Sequence, residues 1–199
     1  MERNMRKLMM ILALVATLAI PSSALAESKG DDPQVPSEEA IKLAQSIDQA
    51  TDPYAAYLAL SEKERLMVDS VLGAAGETTT VEETSEYTIL ASGCWSRTNT
   101  KTSTSLGIFQ HRISQILQWC GNGSSVTSKN DWVEVSTGTF WQYGGIIDHW
   151  TTGGVGWTTY RVHRQAQFNY CPLSVGCGAQ THYPIVDQQG SGNGAYWQN

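Results

Sequence analysis

The sequence lacks the short motifs that mark the common hydrolases and metal sites. It contains no G-x-S-x-G nucleophile elbow, no H-E-x-x-H metalloprotease helix and no C-x-x-C pair. Beyond residue 26, Lys and Arg form no cluster, whereas a nucleic-acid site needs several cations on one face. Nucleic-acid binding is therefore not expected. The four histidines are widely separated in sequence, namely His111, His149, His163 and His182. Neither a metal site nor a cofactor is therefore predicted.

Acidic residues are scarce in the second part of the chain. Residues 27–90 include 14 acidic and 4 basic residues, whereas residues 91–199 include 4 acidic and 6 basic ones. A glycosidase needs two carboxyl groups facing each other across a cleft, and the candidates here are Asp131, Glu134, Asp148 and Asp187. Asp148 lies next to His149, and a carboxylate can orient an imidazole for proton transfer. Neighbours on a strand point to opposite faces, however, so this pair would cooperate only in a loop. A small extracellular hydrolase is a second alternative, and catalysis is not favoured.

Long hydrophobic runs are absent apart from the first 26 residues. These begin with three basic residues, continue with an apolar run of about 13 residues from Leu8 to Ile20, and end in Ala24-Leu25-Ala26. The pattern predicts a secretory signal peptide over residues 1–26, since the run is shorter than the roughly 17 to 25 residues that span a bilayer. The remaining 173 residues are expected to be extracellular, without a membrane span, and long enough for one core.

Cysteine is scarce too, with four residues that all lie in the second part of the chain. In an exported protein an even number favours two disulfides, and four cysteines allow three pairings. Cys171 and Cys177 bracket a turn-forming loop between two extended runs. We therefore favour Cys171–Cys177 together with Cys94–Cys120, while the two crossed pairings stay open.

Residues 27–76 are predicted to form an acidic helical arm. Ser37 can cap a helix, Asp52 followed by Pro53 can open a short second one, and Ser61 with Glu64 forms a capping-box pattern before a third. The next segment, 77–86, reads ETTTVEETSE and is poor in apolar residues, so it is predicted to be a linker.

The composition changes from residue 87 onwards, where all seven tryptophans lie. Short β-prone runs separated by turn residues predict an antiparallel β-sandwich, or a barrel-like variant, that contains the disulfides and covers residues 87–199. The run Leu106–Trp119 also fits a helical period, but Gly107 and the β-branched residues favour a strand. The predicted strands are 87–91, 94–100, 106–119, 124–128, 132–136, 140–147, 157–170 and 178–187.

Several motifs of the β-domain resemble a known family. They are Trp119-Cys120-Gly121-Asn122-Gly123-Ser124, Gly153-Gly154-Val155-Gly156, Gln167-Phe168 with Cys171 and Gly176-Cys177, Tyr183-Pro184-Ile185-Val186-Asp187-Gln188, and Gly192-Asn193-Gly194. Over about residues 94–199 the chain is similar to a family of secreted, tryptophan-rich actinobacterial proteins to which no function is assigned. Members of that family carry aromatic residues where this chain has Gly121 and Ile185. The resemblance implies an exported β-rich fold and implies no reaction and no catalytic residues.

The abundance of aromatic rings favours a binding function. Flat rings on a sheet or its loops can stack on sugars, while nearby Asn, Gln, Thr and Ser supply hydrogen bonds. Around the glycine-rich turns, the candidates for an exposed ligand-binding surface are Trp141, Tyr143, His149, Trp150 and Trp157. We therefore predict a non-catalytic binding protein for glycan or cell-envelope material. The first alternative is a secreted antimicrobial or effector protein whose acidic arm is a pro-segment held by charge.

Overall fold

The computed structural model describes residues 35–74, 76–84, 92–172 and 176–199. Within these described ranges, three short helices precede nine strands, and residues 35–199 form one compact unit. The predicted signal peptide and the predicted strand 87–91 lie outside the described residues. The helices are α1 (Glu38–Asp48), α2 (Pro53–Leu58) and α3 (Glu62–Leu72); the strands are β1 (Glu77–Thr84), β2 (Gly93–Ser105), β3 (Ile108–Gly121), β4 (Val126–Thr137), β5 (Trp141–Gly153), β6 (Thr159–Tyr170), β7 (Gln180–His182), β8 (Ile185–Ser191) and β9 (Tyr196–Gln198).

The three helices begin where the capping residues predict. The side chains of Ser37 and Asp52 accept hydrogen bonds from the first turns of α1 and α2. Ser61 and Glu64 form the reciprocal capping box that opens α3. Each cap supplies acceptors for backbone N–H groups that have no partner within the helix, so these local signals fix the starts of the helices.

The strands form two antiparallel sheets, as expected for a β-sandwich. The first sheet has the order β1-β2-β3-β4, and the second has β5-β6-β8-β9 with β7 also paired to β6. Strand β8 lies against β3 and β2, which places the two sheets face to face. The segment with ambiguous periodicity is the strand β3: Leu106 and Gly107 have positive φ values of 48° and 83° and form the tight turn that precedes it. The predicted fold class is thus confirmed.

Several details of the predicted strands are wrong. Residues 77–84 were predicted to belong to a linker, but they form β1, which pairs with β2 from Glu77 opposite Thr104 to Thr84 opposite Arg97. The predicted runs 124–128 and 132–136 overlap the single strand β4, which begins at Val126, whereas the predicted run 178–187 is divided between β7 and β8. Thr is common in strands, and an edge strand needs little apolar character, which explains why composition suggested a linker for 77–84.

The helical arm completes the core of the sandwich. One apolar cluster includes Ala44, Tyr57 and Val68 from the helices together with Trp141 and Phe168 from the strands. The effector alternative needs an arm held by charge, whereas the described contacts between arm and sandwich are mainly apolar packing and hydrogen bonds.

Hydrogen bonds join the end of α3 to the strands. The Gln110 side-chain amide donates to the carbonyl oxygens of Leu72 and Ala74, and the Trp141 indole N–H donates to Leu72. The Tyr170 hydroxyl donates to Asp69 across 2.9 Å. The bonds from Gln110 and Trp141 satisfy backbone carbonyl groups at the end of α3 that have no partner within the helix.

Both disulfides have the favoured pairing. Cys94 and Cys120 lie directly opposite each other on β2 and β3 and are bonded. Cys171 and Cys177 are bonded and close the loop that follows β6. Disulfides are typical of proteins in oxidising compartments, so the pairing agrees with an extracellular protein.

Candidate functional site on the outer face of the second sheet

The alternation of β6 separates a core face from an outer face. Tyr160, Val162, Ala166 and Phe168 are at most 1 % exposed and point towards the first sheet. Arg161, His163, Gln165 and Gln167 are partly exposed on the opposite face, because successive side chains of a strand point to opposite sides. The outer face of the second sheet is therefore available to solvent, and it carries most of the polar groups of β6.

Cross-strand pairing gathers five side chains on this outer face. His163 lies opposite Trp150 on β5 and Asp187 on β8. Arg161 lies opposite Gln189, which in turn lies opposite Trp197 on β9. Residues that face each other across a sheet share a face, so these neighbours meet although they are distant in sequence. We refer to Trp150, Arg161, His163, Asp187 and Trp197 as the outer-face cluster.

The Arg161 guanidinium is held between two aromatic rings and a carboxylate. Its central carbon is 5.0 Å from the ring centroid of Trp150 and 4.8 Å from that of Trp197. Its Nε and Nη2 atoms donate to the two oxygens of Asp187 at 2.9 and 2.6 Å. This bidentate geometry fixes both the position and the plane of the guanidinium group.

His163 extends the cluster on its other side. Its ring stacks on Trp150 with centroids 4.7 Å apart and planes only 4° from parallel. Its Nδ1 lies 3.3 Å from Asp187 Oδ2, and its Nε2 lies 3.6 Å from Asp148 Oδ2. The imidazole thus stands between a buried carboxylate and an exposed one.

Asp187 is the electrostatic centre of the cluster. Burial alone would raise the pKa of its carboxyl, but hydrogen bonds from Arg161 and His163 outweigh this and hold the pKa below its usual range. The same hydrogen bond from Arg161 raises the pKa of the guanidinium. The pair therefore stays ionised at neutral pH, which keeps a half-exposed cationic donor group in a fixed orientation.

The structure places the five predicted ligand-binding residues in different surroundings. Trp150 belongs to the outer-face cluster, and Trp157 is 66 % exposed in the turn between β5 and β6. Tyr143 is 38 % exposed and packs against Phe168, and His149 is exposed beside Trp150. Trp141 is only 4 % exposed, so the prediction that it lies on the surface is wrong. The helical arm covers it, which the strand sequence alone does not reveal.

Sequence reasoning missed three members of the cluster, namely Arg161, His163 and Trp197. Arg161 and His163 lie two residues apart and therefore on the same side of a strand, but nothing in the sequence indicates which side faces solvent or which strands lie beside it. Asp148 and His149 were considered as a local pair, yet both lie in β5, and Asp148 approaches His163. The alternation within β6 is therefore visible in the sequence, but the strands that pair with β6 are not.

Comparison with known proteins adds no further constraint: no protein-family model, curated protein or solved structure matches this chain. The resemblance to the actinobacterial family thus stays a prediction. Among the described residues, no helix is long and apolar enough to cross a membrane. The function is therefore inferred from the chemistry of the outer face.

Proposed function

We propose that the protein is a secreted, non-catalytic binding protein for glycan or cell-envelope material and that the outer-face cluster is its contact surface. The observation that carries the proposal is the guanidinium of Arg161 fixed between Trp150 and Trp197 on the open face of the sheet. Trp197 is 45 % exposed, so part of its ring area is open to a ligand.

The chemistry of this face suits sugars in two ways. Indole rings offer flat apolar surfaces on which the apolar side of a sugar ring can stack, while the polar groups beside them bind hydroxyls. Arg161 supplies donors, and the side chains of Gln165 and Gln189 on the neighbouring strand positions supply both donors and acceptors. Because the rings and the guanidinium are already fixed, binding would cost little side-chain entropy.

The arrangement of the acidic groups does not favour the hydrolase alternative. Asp187 is paired with Arg161, and Asp131 accepts hydrogen bonds from Tyr160 and Arg164 between the sheets. A glycosidase needs a protonated carboxylic acid as well as a carboxylate across a cleft. Two of the four acids in the β-domain are thus committed to ion pairs or hydrogen bonds within the sandwich.

The position of the arm does not favour the pro-segment alternative either. Its helices contribute buried residues to the same core as β5 and β6. Proteolytic release would leave apolar surface uncovered at that core, which destabilises what remains. The binding function is therefore favoured over both alternatives.

A retention assay tests the proposed contact surface. The secreted protein would be passed over insoluble peptidoglycan, chitin and cellulose, and the retained fraction compared for Trp150→Ala, Trp197→Ala and the double variant. Each stacking ring contributes about 0.5–1.5 kcal/mol, so each single variant should bind the retained polymer about 2- to 10-fold more weakly and the double variant more weakly still.

Trp157→Ala is the matched control, because that ring is exposed and lies outside the cluster. It should bind like the parent protein, and all variants should remain folded at the assay temperature, as judged by cooperative thermal unfolding. Retention of the double variant at the parent level would exclude the cluster as the contact surface. Failure of the parent protein to bind any of the three polymers would count against the glycan proposal itself.

A further inference from the structure

A second feature of the molecule is a cavity at one edge of the sandwich. Its volume is about 540 Å³, which is within the range of sites for small molecules. It lies between Thr78 and Lys101 of the first sheet and the connection from β7 to β8 in the second sheet. Both sheets therefore contribute to its walls.

Two neutral histidines form the inner part of the cavity. His111 Nε2 and His182 Nδ1 share a hydrogen bond of 2.9 Å. His111 is 2 % exposed and stacks on Phe168 with centroids 4.3 Å apart, so its position is fixed by the core. Burial lowers the pKa of His111 to about 4 and also lowers that of His182. Both rings are consequently neutral at neutral pH, and the half-buried His182 lines the cavity.

The outer walls combine an exposed ring with hydrogen-bonding groups. Tyr183 is 51 % exposed, and Lys101 is held by a 3.0 Å hydrogen bond from its Nζ to the hydroxyl of Thr80. Thr181 also lines the cavity, and its hydroxyl donates to Asn169 Oδ1 at 3.1 Å. No Asp or Glu side chain is among the described residues that line the cavity. An aromatic wall facing several hydroxyl, imidazole and ammonium groups fits a polyhydroxylated ligand.

The cavity begins where the outer-face cluster ends. Ile185 lines the cavity and lies two residues before Asp187 on the same face of β8. Asn199 also lines the cavity, and its backbone N–H donates to the carbonyl oxygen of Asp187 at 3.1 Å. Residues i and i+2 of a strand are about 7 Å apart, so one extended ligand can reach both places.

We infer that the cavity is a further subsite of the glycan-binding face and takes an uncharged sugar unit, so that the natural ligand is an oligosaccharide rather than a single sugar. This inference depends on the proposed function. Tyr183 would stack on the unit in the cavity, and Lys101 and His182 would bind its hydroxyls. Further units of the ligand would continue from the cavity along the outer face, across Trp150 and Trp197.

The test measures how affinity depends on ligand length. Soluble fragments of the retained polymer with two to six sugar units would be titrated calorimetrically into the full mature protein and into Tyr183→Ala and Lys101→Met. The parent protein should bind the longest fragment at least 10-fold more tightly than the shortest. Both variants should bind the shortest fragment as tightly as the parent protein does. Their affinity should increase much less with fragment length than that of the parent.

Lys63→Met is the matched control, since Lys63 is exposed on α3 and lies outside the cavity. It should behave like the parent protein at every length. If affinity increases equally with fragment length in the parent and in both cavity variants, the inference is overturned. The proposal for the outer-face cluster is not affected by that result. If the cavity variants lose affinity while the double tryptophan variant does not, the cavity is a binding site but the proposed contact surface is wrong.

Discussion

Acid is expected to destabilise the protein chiefly through the buried residue His111. The residue is 2 % exposed, its Nε2 is bonded to His182, and its ring lies against Phe168. Burial and the neighbouring His182 lower the pKa of His111 from 6.5 to about 4. A protonated imidazole at this position would be a poorly solvated charge between the sheets.

The direction of the pH effect follows from proton linkage. The unfolded chain takes up a proton on His111 as the pH falls through 6.5, whereas the folded protein takes it up only near pH 4. The contribution of neutral His111 to the free energy of unfolding is fully present above pH 6.5 and is lost progressively between pH 6.5 and about 4. The gap between the two pKa values corresponds to about 3 kcal/mol of unfolding free energy.

Urea unfolding at a series of pH values with the disulfides intact measures this effect. His111→Phe keeps a flat ring against Phe168 but cannot be protonated, so between about pH 7 and pH 4 it should lose about 3 kcal/mol less than the parent protein. His149→Gln, an exposed position, is the control and should follow the parent. If the curves of the parent and His111→Phe run parallel over this range, His111 is not the group that links acid to stability.

Two further predictions concern the core. Deleting residues 35–76 should prevent cooperative folding, because it uncovers Trp141 and its neighbours; a sharp thermal transition of the remaining fragment would contradict this. Gly190→Ala should destabilise by about 1–3 kcal/mol, because the added Cβ would lie 2.4 Å from the buried Trp119 ring. Gly93→Ala is its control in thermal unfolding, since the nearest atom there is 3.6 Å away, and equal losses would refute the argument.

Local signals in the sequence predicted the helices and most of the strands. Ser37, Asp52 and Ser61 act on backbone groups within three residues of themselves, so their effect does not depend on the rest of the fold. The alternation of β6 likewise follows from the geometry of a single strand. Fold class could therefore be predicted from the chain alone.

The candidate site could not be predicted in the same way, because it depends on long-range pairing. Trp141 and Trp150 lie on opposite faces of β5, and the sequence of that strand does not tell which face the helical arm covers. Arg161 and Asp187 are 26 residues apart and meet because β8 pairs with β6. No local pattern records which strand becomes the neighbour of another.

Trp150 and Trp197 cover the Arg161–Asp187 pair, which indicates that the cluster is more than a surface salt bridge. An exposed ion pair contributes little to stability, and burying a carboxylate costs free energy that the pairing must offset. Here the Asp187 side chain is only 6 % exposed, whereas that of Arg161 is 35 % exposed. Trp150 and Trp197 lie against the guanidinium and restrict its movement, while Asp187 fixes its plane. A cationic donor that is immobile yet accessible offers a ligand hydrogen bonds at low entropic cost, and the same two rings supply the apolar surface beside it.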